Sequence, residues 1–241
     1  MVTVEQLRHR KRSGPPTRDW TYPVAWTGAV LATWALERSP DADFDRFLGG
    51  VPPLFAVAGV GAAGFLALRV LETEGWLGES RRGRGVKLPA LLALGFGAAI
   101  LVVDITLGFE PGINIEWPTS VLFYPVMGFV AEIVFHIVPL ALVVPAFRRS
   151  PKAAKGPSGV VAPFLLVAPI EAIYQVLGTS SGGSVWLTRY LTLHMLAFGS
   201  AALLVLRRRG FGSLMTFRLT YYLIWHIAWG AARLDLLFPV T

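Results

Sequence analysis

Seven apolar stretches account for most of this chain, at residues 20–36, 47–71, 88–109, 121–147, 159–177, 184–206 and 213–238. Each is close to the ~20 residues that cross a hydrocarbon core as a helix. Only 15% of the 241 residues are charged, against 54% hydrophobic, and average soluble domains carry roughly 25% charge. A chain so poor in charge cannot cover a water-facing surface. The fold expected is therefore all-α, a polytopic transmembrane helix bundle of about seven spans over residues 20–238, preceded by a basic segment at 1–19. The first span is short, and Pro163 and Pro169 interrupt the fifth. Neighbouring helices can satisfy backbone groups that a proline frees.

The charges give an independent test of that count. Of the 22 basic residues, 16 fall in four segments. The N-terminal segment holds Arg8, Arg10, Lys11, Arg12 and Arg18. The second loop holds Arg81, Arg82, Arg84 and Lys87; the fourth holds Arg148, Arg149, Lys152 and Lys155; the sixth holds Arg207, Arg208 and Arg209. All four lie on one side of a seven-span chain. The alternate loops are acidic at 37–46, without a base at 110–120, and uncharged at 178–183. Basic loops remain in the cytoplasm, which predicts a cytoplasmic N-terminus and insertion in the cell membrane. The net charge of +7 is thereby assigned to topology and anionic lipid heads, not to nucleic acid. The absence of cysteine excludes disulfides, thiolate nucleophiles and Cys-ligated metals.

Ionisable side chains inside such spans are costly, so each calls for a reason. They are Asp104, Glu132, His136, Glu171, His194, Arg218, His226 and Arg233, with Gln175 and Tyr222 as polar neighbours. Glu132 lies 15 residues from the basic end of its span, Glu171 12, His194 12 and His226 13. At 1.5 Å per residue all four fall roughly 18–22 Å from that boundary, in one layer, which predicts a single midplane site. Glu132 and His136, and Glu171 and Gln175, are each four apart and share a helix face. On the last span Arg218, Tyr222, His226, Trp229 and Arg233 form one polar stripe facing protein or water. The simpler accounts are a core histidine at His194, a Glu132–His136 bond that only orders helices, and an Asp104 paired with Arg218 or Arg233. The glycines Gly61, Gly64, Gly95 and Gly97 read as places where helices approach closely.

The segment from Ala131 to His136, Ala-Glu-Ile-Val-Phe-His, resembles the first motif (Glu-Glu-x-x-Phe-Arg) of the CPBP family of intramembrane endopeptidases. That family includes the CAAX prenyl proteases and bacteriocin-processing enzymes. Its second motif, Phe-x-x-x-His, would fall on Glu171-x-x-x-Gln175. Its third, His-x-x-x-Asn, looks like His226-x-x-x-Gly230. The resemblance covers about residues 121–238. It implies hydrolysis of a peptide or membrane-protein substrate by a carboxylate-activated water, with Glu132, His136, Glu171 and His226 as catalytic candidates. Gln175, His194, Arg218 and Tyr222 would bind substrate or support the site. The chain departs from the family at Ala131, where the water-activating glutamate is expected, and at His136, Gln175 and Gly230. It therefore reads either as a rearranged peptidase or as an inactive relative.

Other readings follow from the residues alone. Two Glu and several His at one depth could ligate zinc, although no HExxH pattern occurs. Intramembrane Glu and His also form proton relays in carriers, and Pro169 beside Glu171 fits a discontinuous helix at a substrate site. A haem held by His194 and His226 is a further reading.

Overall fold

The computed structural model describes residues 20–77, 85–149, 158–179 and 184–238. The N-terminal basic segment lies outside the described residues, as do Arg81, Arg82, Arg84, Lys152 and Lys155. Among the described residues the chain is all-helical, without strands. Helix α1 spans Thr21–Leu36, α2 is a single turn at Asp45–Leu48, α3 spans Pro53–Thr73 and α4 Lys87–Leu107. Helix α5 runs Ser120–Arg148. Two shorter pieces follow, α6 at Ser158–Val167 and α7 at Pro169–Thr179, then α8 at Val185–Arg209 and α9 over 211–237.

Five of these segments are long and apolar enough to cross a membrane: α3, α4, α5, the α6–α7 stretch at Val160–Leu177, and α8. The 16-residue α1 is shorter, and α9 carries Arg218, Arg233 and Asp235. The outward faces are apolar, as lipid requires: Phe55, Leu66, Leu91, Val102, Leu142, Leu165, Leu177 and Leu193 are all exposed. The interior is where the charges are, since Asp104, Glu132, His136, Glu171, Arg218 and Arg233 are buried. This is the arrangement of an integral membrane protein. Helix α5 is the centre of the bundle, with 61% of its apolar window buried against 22–44% for the other four. It packs on α1, α3, α6 and α9.

Several boundaries move for local reasons. The second apolar stretch does not start at residue 47: Gly49 and Gly50 take φ of +61° and +78°, conformations open chiefly to glycine, and the helix restarts at Pro53. Glycine also sets the last boundary, because Gly210 (φ +84°) separates α8 from α9. Pro169 begins α7 after Ala168, where the proline has no N–H to continue α6. Ser184 caps α8, its Oγ accepting from the Leu187 N–H at 3.3 Å. Of the glycines expected at helix contacts, Gly61, Gly64 and Gly97 face Trp26, Tyr22 and Ile224 respectively, whereas Gly95 has open space beside it.

Two helices contain a π turn. In α5 it covers Glu132–Ile137, closed by the Val138 N–H on the Ile133 carbonyl five residues back. Pro139 follows at once; its ring crowds the preceding turn and it offers no N–H, a recognised cause of local unwinding. In α9 the π turn covers Leu223–Ala228, closed by Trp229 N–H on Ile224. Such turns insert one residue and re-aim the side chains around it, often at functional sites.

Successive helices alternate in direction, which gathers the loops into two sets. At one end Arg148 donates to the Glu74 carbonyl, Arg207 lies over Trp76, and Arg209 reaches the Gly85 carbonyl at 3.2 Å. At the other end Ser39 meets Thr119 at 3.4 Å, and Arg46 donates to the Gly112 carbonyl at 3.1 Å. Arg148, Arg207 and Arg209 thus share one end, while Arg46 lies at the other.

Candidate functional site

Arg218 is the hub of the interior. It projects from α9 into the angle between α5 and α7, past Gly128, where an added Cβ would stand 3.1 Å from the Arg218 Cγ. Its Nε donates to Glu132 Oε1 at 2.5 Å. Its two terminal nitrogens hold Glu171 as a fork, at 2.7 and 2.8 Å to Oε1 and Oε2. The second Glu132 oxygen is taken by His136 Nδ1 at 2.8 Å. His136 Nε2 points towards Glu171 Oε2 at 3.8 Å, too far for a hydrogen bond, and is buried without a partner. Exposure is 0% for Glu132, His136 and Arg218 and 1% for Glu171.

Each member reaches this point for a local reason. The π turn of α5 carries both Glu132 and His136. The break at Ala168 and Pro169 places Glu171 in the first turn of α7, beside α8. There Gly199 leaves room for the Ala168 carbonyl and for His136; an added Cβ would lie 2.9 Å from that oxygen and 3.3 Å from His136 Nε2. The rings of Phe198 and Tyr222 lie against the guanidinium, at 4.6 and 5.5 Å from ring centroid to Cζ.

Of the four residues expected in one layer, Glu132, Glu171, His194 and His226, only Glu132 and Glu171 meet, and His136 and Arg218 complete their cluster. Gln175 follows Glu171 by one turn and is part-buried. His226 belongs to a second polar group. Its Nδ1 bonds Asn114 Oδ1 at 2.8 Å, and Tyr124 stacks on its ring at 4.3 Å and 17°. The Tyr124 hydroxyl donates to the same Asn114 oxygen at 3.3 Å and accepts the Ile115 N–H at 2.8 Å. Tyr222 touches both groups, meeting His226 edge-on at 4.7 Å. His194 stands apart, with Nδ1 paired to the Tyr190 hydroxyl at 3.0 Å and Nε2 to that of Tyr221 at 3.3 Å. Both of its ring nitrogens are thus engaged by tyrosine hydroxyls.

The last two residues of the α9 stripe, Trp229 and Arg233, form a third group with Asp104. Of the two arginines that spacing allowed, Arg233 is the partner of Asp104, at 2.7 and 2.9 Å, while Arg218 is committed to the glutamates. Trp229 Nε1 donates to Asp104 Oδ2 at 2.6 Å. Arg233 also donates to the carbonyls of Phe109, Glu110 and Pro111, which ties the α4–α5 loop to the last helix.

Sequence reasoning missed Asn114 and Tyr124. Asn114 is in a loop, where no helical period speaks for it, and Tyr124 reads as one more aromatic at a span end. The Asn114 side chain lies against Gly230, where an added Cβ would stand 3.1 Å from Nδ2. Among the described residues no three His, Asp or Glu side chains are placed to hold a metal ion. The position between Glu132 and Glu171 that a cation would take is filled by the Arg218 guanidinium.

Searches against family models, curated proteins and solved structures each returned no match.

Proposed function

We propose that this chain is a seven-pass membrane protein of CPBP type that keeps the helical layout of an intramembrane peptidase but does not hydrolyse peptide bonds. One observation carries the reading. Arg218 holds both glutamates in a sealed ion-pair cluster. A general base needs a free lone pair within reach of a water and its substrate. Glu132 has one oxygen on Arg218 and the other on His136, and Glu171 is held bidentately. Ala131 leaves no further carboxylate at the first motif. The resemblance at the third motif also has a structural echo: the Asn114 amide lies against Gly230, beside His226, where the family motif carries asparagine.

The test is cleavage of a mixed peptide library by the purified protein, read by mass spectrometry, with Glu132→Gln and Glu171→Gln alongside. The expected result is no product from any of the three. Product formed by wild type and lost in either variant would overturn the reading and establish a rearranged peptidase.

The orientation belongs to the same proposal, with the basic end in the cytoplasm, the N-terminus inside and the cell membrane as location. A chain without cysteine allows a direct check by labelling single cysteines in intact cells. Ser39→Cys should react with an impermeant thiol reagent and Arg208→Cys should not; the reverse pattern would invert the topology.

One observation favours a second reading, a proton-linked carrier. The cluster has two carboxylates against one guanidinium, and His136 Nε2 beside them is a buried nitrogen left without a partner. Glu171 sits on a separate helical piece that could move. Liposomes containing the protein and an internal pH dye would then show a proton leak or substrate-driven pH change that His136→Gln removes. No wild-type signal above empty liposomes would discard this reading.

A further inference from the structure

At the basic end of the bundle, helices α3, α5 and α8 finish around one buried tryptophan. Trp76 is 1% exposed, lies in the turn after α3, and meets Phe164 ring to ring at 5.7 Å. The Arg207 guanidinium, from the last turn of α8, lies over the Trp76 ring at 5.1 Å from the centroid. Two donors here have no acceptor: Trp76 Nε1 and Arg207 Nη1 are both buried without a hydrogen-bond partner. Arg148, at the end of α5, is close enough to Arg207 to repel it, as is Arg208. Among the described residues no ion pair involves Arg207, Arg148 or Arg208.

Arginine is favoured at helix C-termini, where free carbonyls and the helix dipole attract it. That accounts for Arg148, which donates to the carbonyls of Glu74 and Gly75. It does not account for Arg207, whose Nη1 meets no carbonyl. Sealing a charged N–H without an acceptor is costly, and such groups are rare enough that each needs an explanation. A water could satisfy the N–H bonds but would leave neighbouring guanidinium charges uncompensated. An anion does both. The place fits a particular source, because these residues sit where the apolar helices end, which is where a bilayer presents its headgroups to a spanning helix. Arg207 is only part-buried, so its fork can turn to meet a group arriving from that boundary, and arginine pairs with phosphate bidentately.

We propose that Arg207, with Trp76 Nε1 and the charge of Arg148, binds the phosphate group of a membrane phospholipid. The site is separate from the Glu132–Glu171 cluster and independent of whether that cluster hydrolyses anything.

The test is native mass spectrometry of delipidated wild-type protein in neutral detergent. The protein is titrated with short-chain phosphatidylglycerol, with diacylglycerol of the same chains, and with inorganic phosphate. Phosphatidylglycerol should be retained and diacylglycerol should not. Arg207→Gln should weaken retention about tenfold or more, the scale of one charge-assisted hydrogen bond, whereas Arg208→Gln removes the same charge from an exposed position and should leave it unchanged. Trp76→Phe keeps the ring, removes only the N–H and should weaken binding about fivefold, which covers the case of an Arg207 variant that does not fold. Competition by inorganic phosphate at similar concentration would support the phosphate chemistry but assign a soluble source. Equal retention of diacylglycerol, or equal losses in the Arg207 and Arg208 variants, would overturn the proposal.

Discussion

The interior holds two buried arginine–carboxylate groups built to different plans. At one end of α9, Arg233 faces a single carboxylate. Asp104 accepts from Arg233, Trp229 and the Phe109 N–H, and the remaining Arg233 donors go to loop carbonyls. Charge is matched one to one, and both partners are saturated. Near mid-bundle, Arg218 faces two carboxylates and His136 has a nitrogen to spare. A saturated pair acts as a staple, fixing the α4–α5 loop to the last helix. An unsaturated cluster at the meeting of α5, α7, α8 and α9 has capacity left for a proton or a rearrangement. The same ion-pair chemistry thus gives a fixture in one place and a candidate functional group in the other.

The largest effect expected from breaking this comparison is at Arg218. Arg218→Met strips Glu171 of both its bonds and leaves Glu132 buried with His136 alone, and removing one partner of a buried pair typically costs about 3–5 kcal/mol. Thermal unfolding in detergent should show a severe loss, and adding Glu132→Gln and Glu171→Gln to the same chain should recover much of it. No recovery would mean that Arg218 acts through packing on Phe198 and Tyr222, not through charge.

Asp104→Asn tests the staple. It strands the Arg233 charge, though the carbonyls of 109–111 still accept from it, so a smaller loss of about 2–3 kcal/mol is expected. The signature should be local, with proteolysis appearing first in the 108–114 segment. If cleavage is no faster there than elsewhere, the pair is not what holds the loop.

Much of this arrangement was legible in the sequence, and the limits have physical causes. Hydropathy and loop charge give the helices and their alternation, because lipid and headgroups act on whole segments. Depth along each helix brought Glu132 and Glu171 to one level, together with His194 and His226, and helical spacing put His136 beside Glu132 and Arg218 on an inward stripe. Depth does not fix rotation about the helix axis, and rotation is what sends His194 to Tyr221 and His226 to Asn114. The π turns add to the difficulty, since each inserts a residue that a 3.6-residue period does not register. Asn114 was invisible because a loop side chain has no period at all.

Gly199→Ala sharpens the comparison without touching a charge. The new methyl would meet the Ala168 carbonyl and His136 Nε2 at 2.9 and 3.3 Å, and overpacking of this kind costs about 1–3 kcal/mol. Gly95→Ala, with open space around it, should be close to neutral. Equal thermal stability of the two variants would mean that α7 and α8 can separate freely at the helix break.

The smallest effect expected comes from Asn114→Ala, about 1 kcal/mol for one part-buried hydrogen-bond partner. Its value lies in what it separates. His226 loses its Nδ1 partner while Tyr124 still stacks on the ring, so the nitrogen resonances of His226 should move. His136 touches neither residue, and its resonances should stay where they are if the His226–Asn114 group and the Arg218 cluster are independent. Tyr222 touches both, edge-on to His226 and over the Arg218 guanidinium. A shift at His136 that disappears in a Tyr222→Phe background would not fit ring contact alone, because phenylalanine keeps the ring. It would assign the coupling to the tyrosine hydroxyl and make the two polar groups one site.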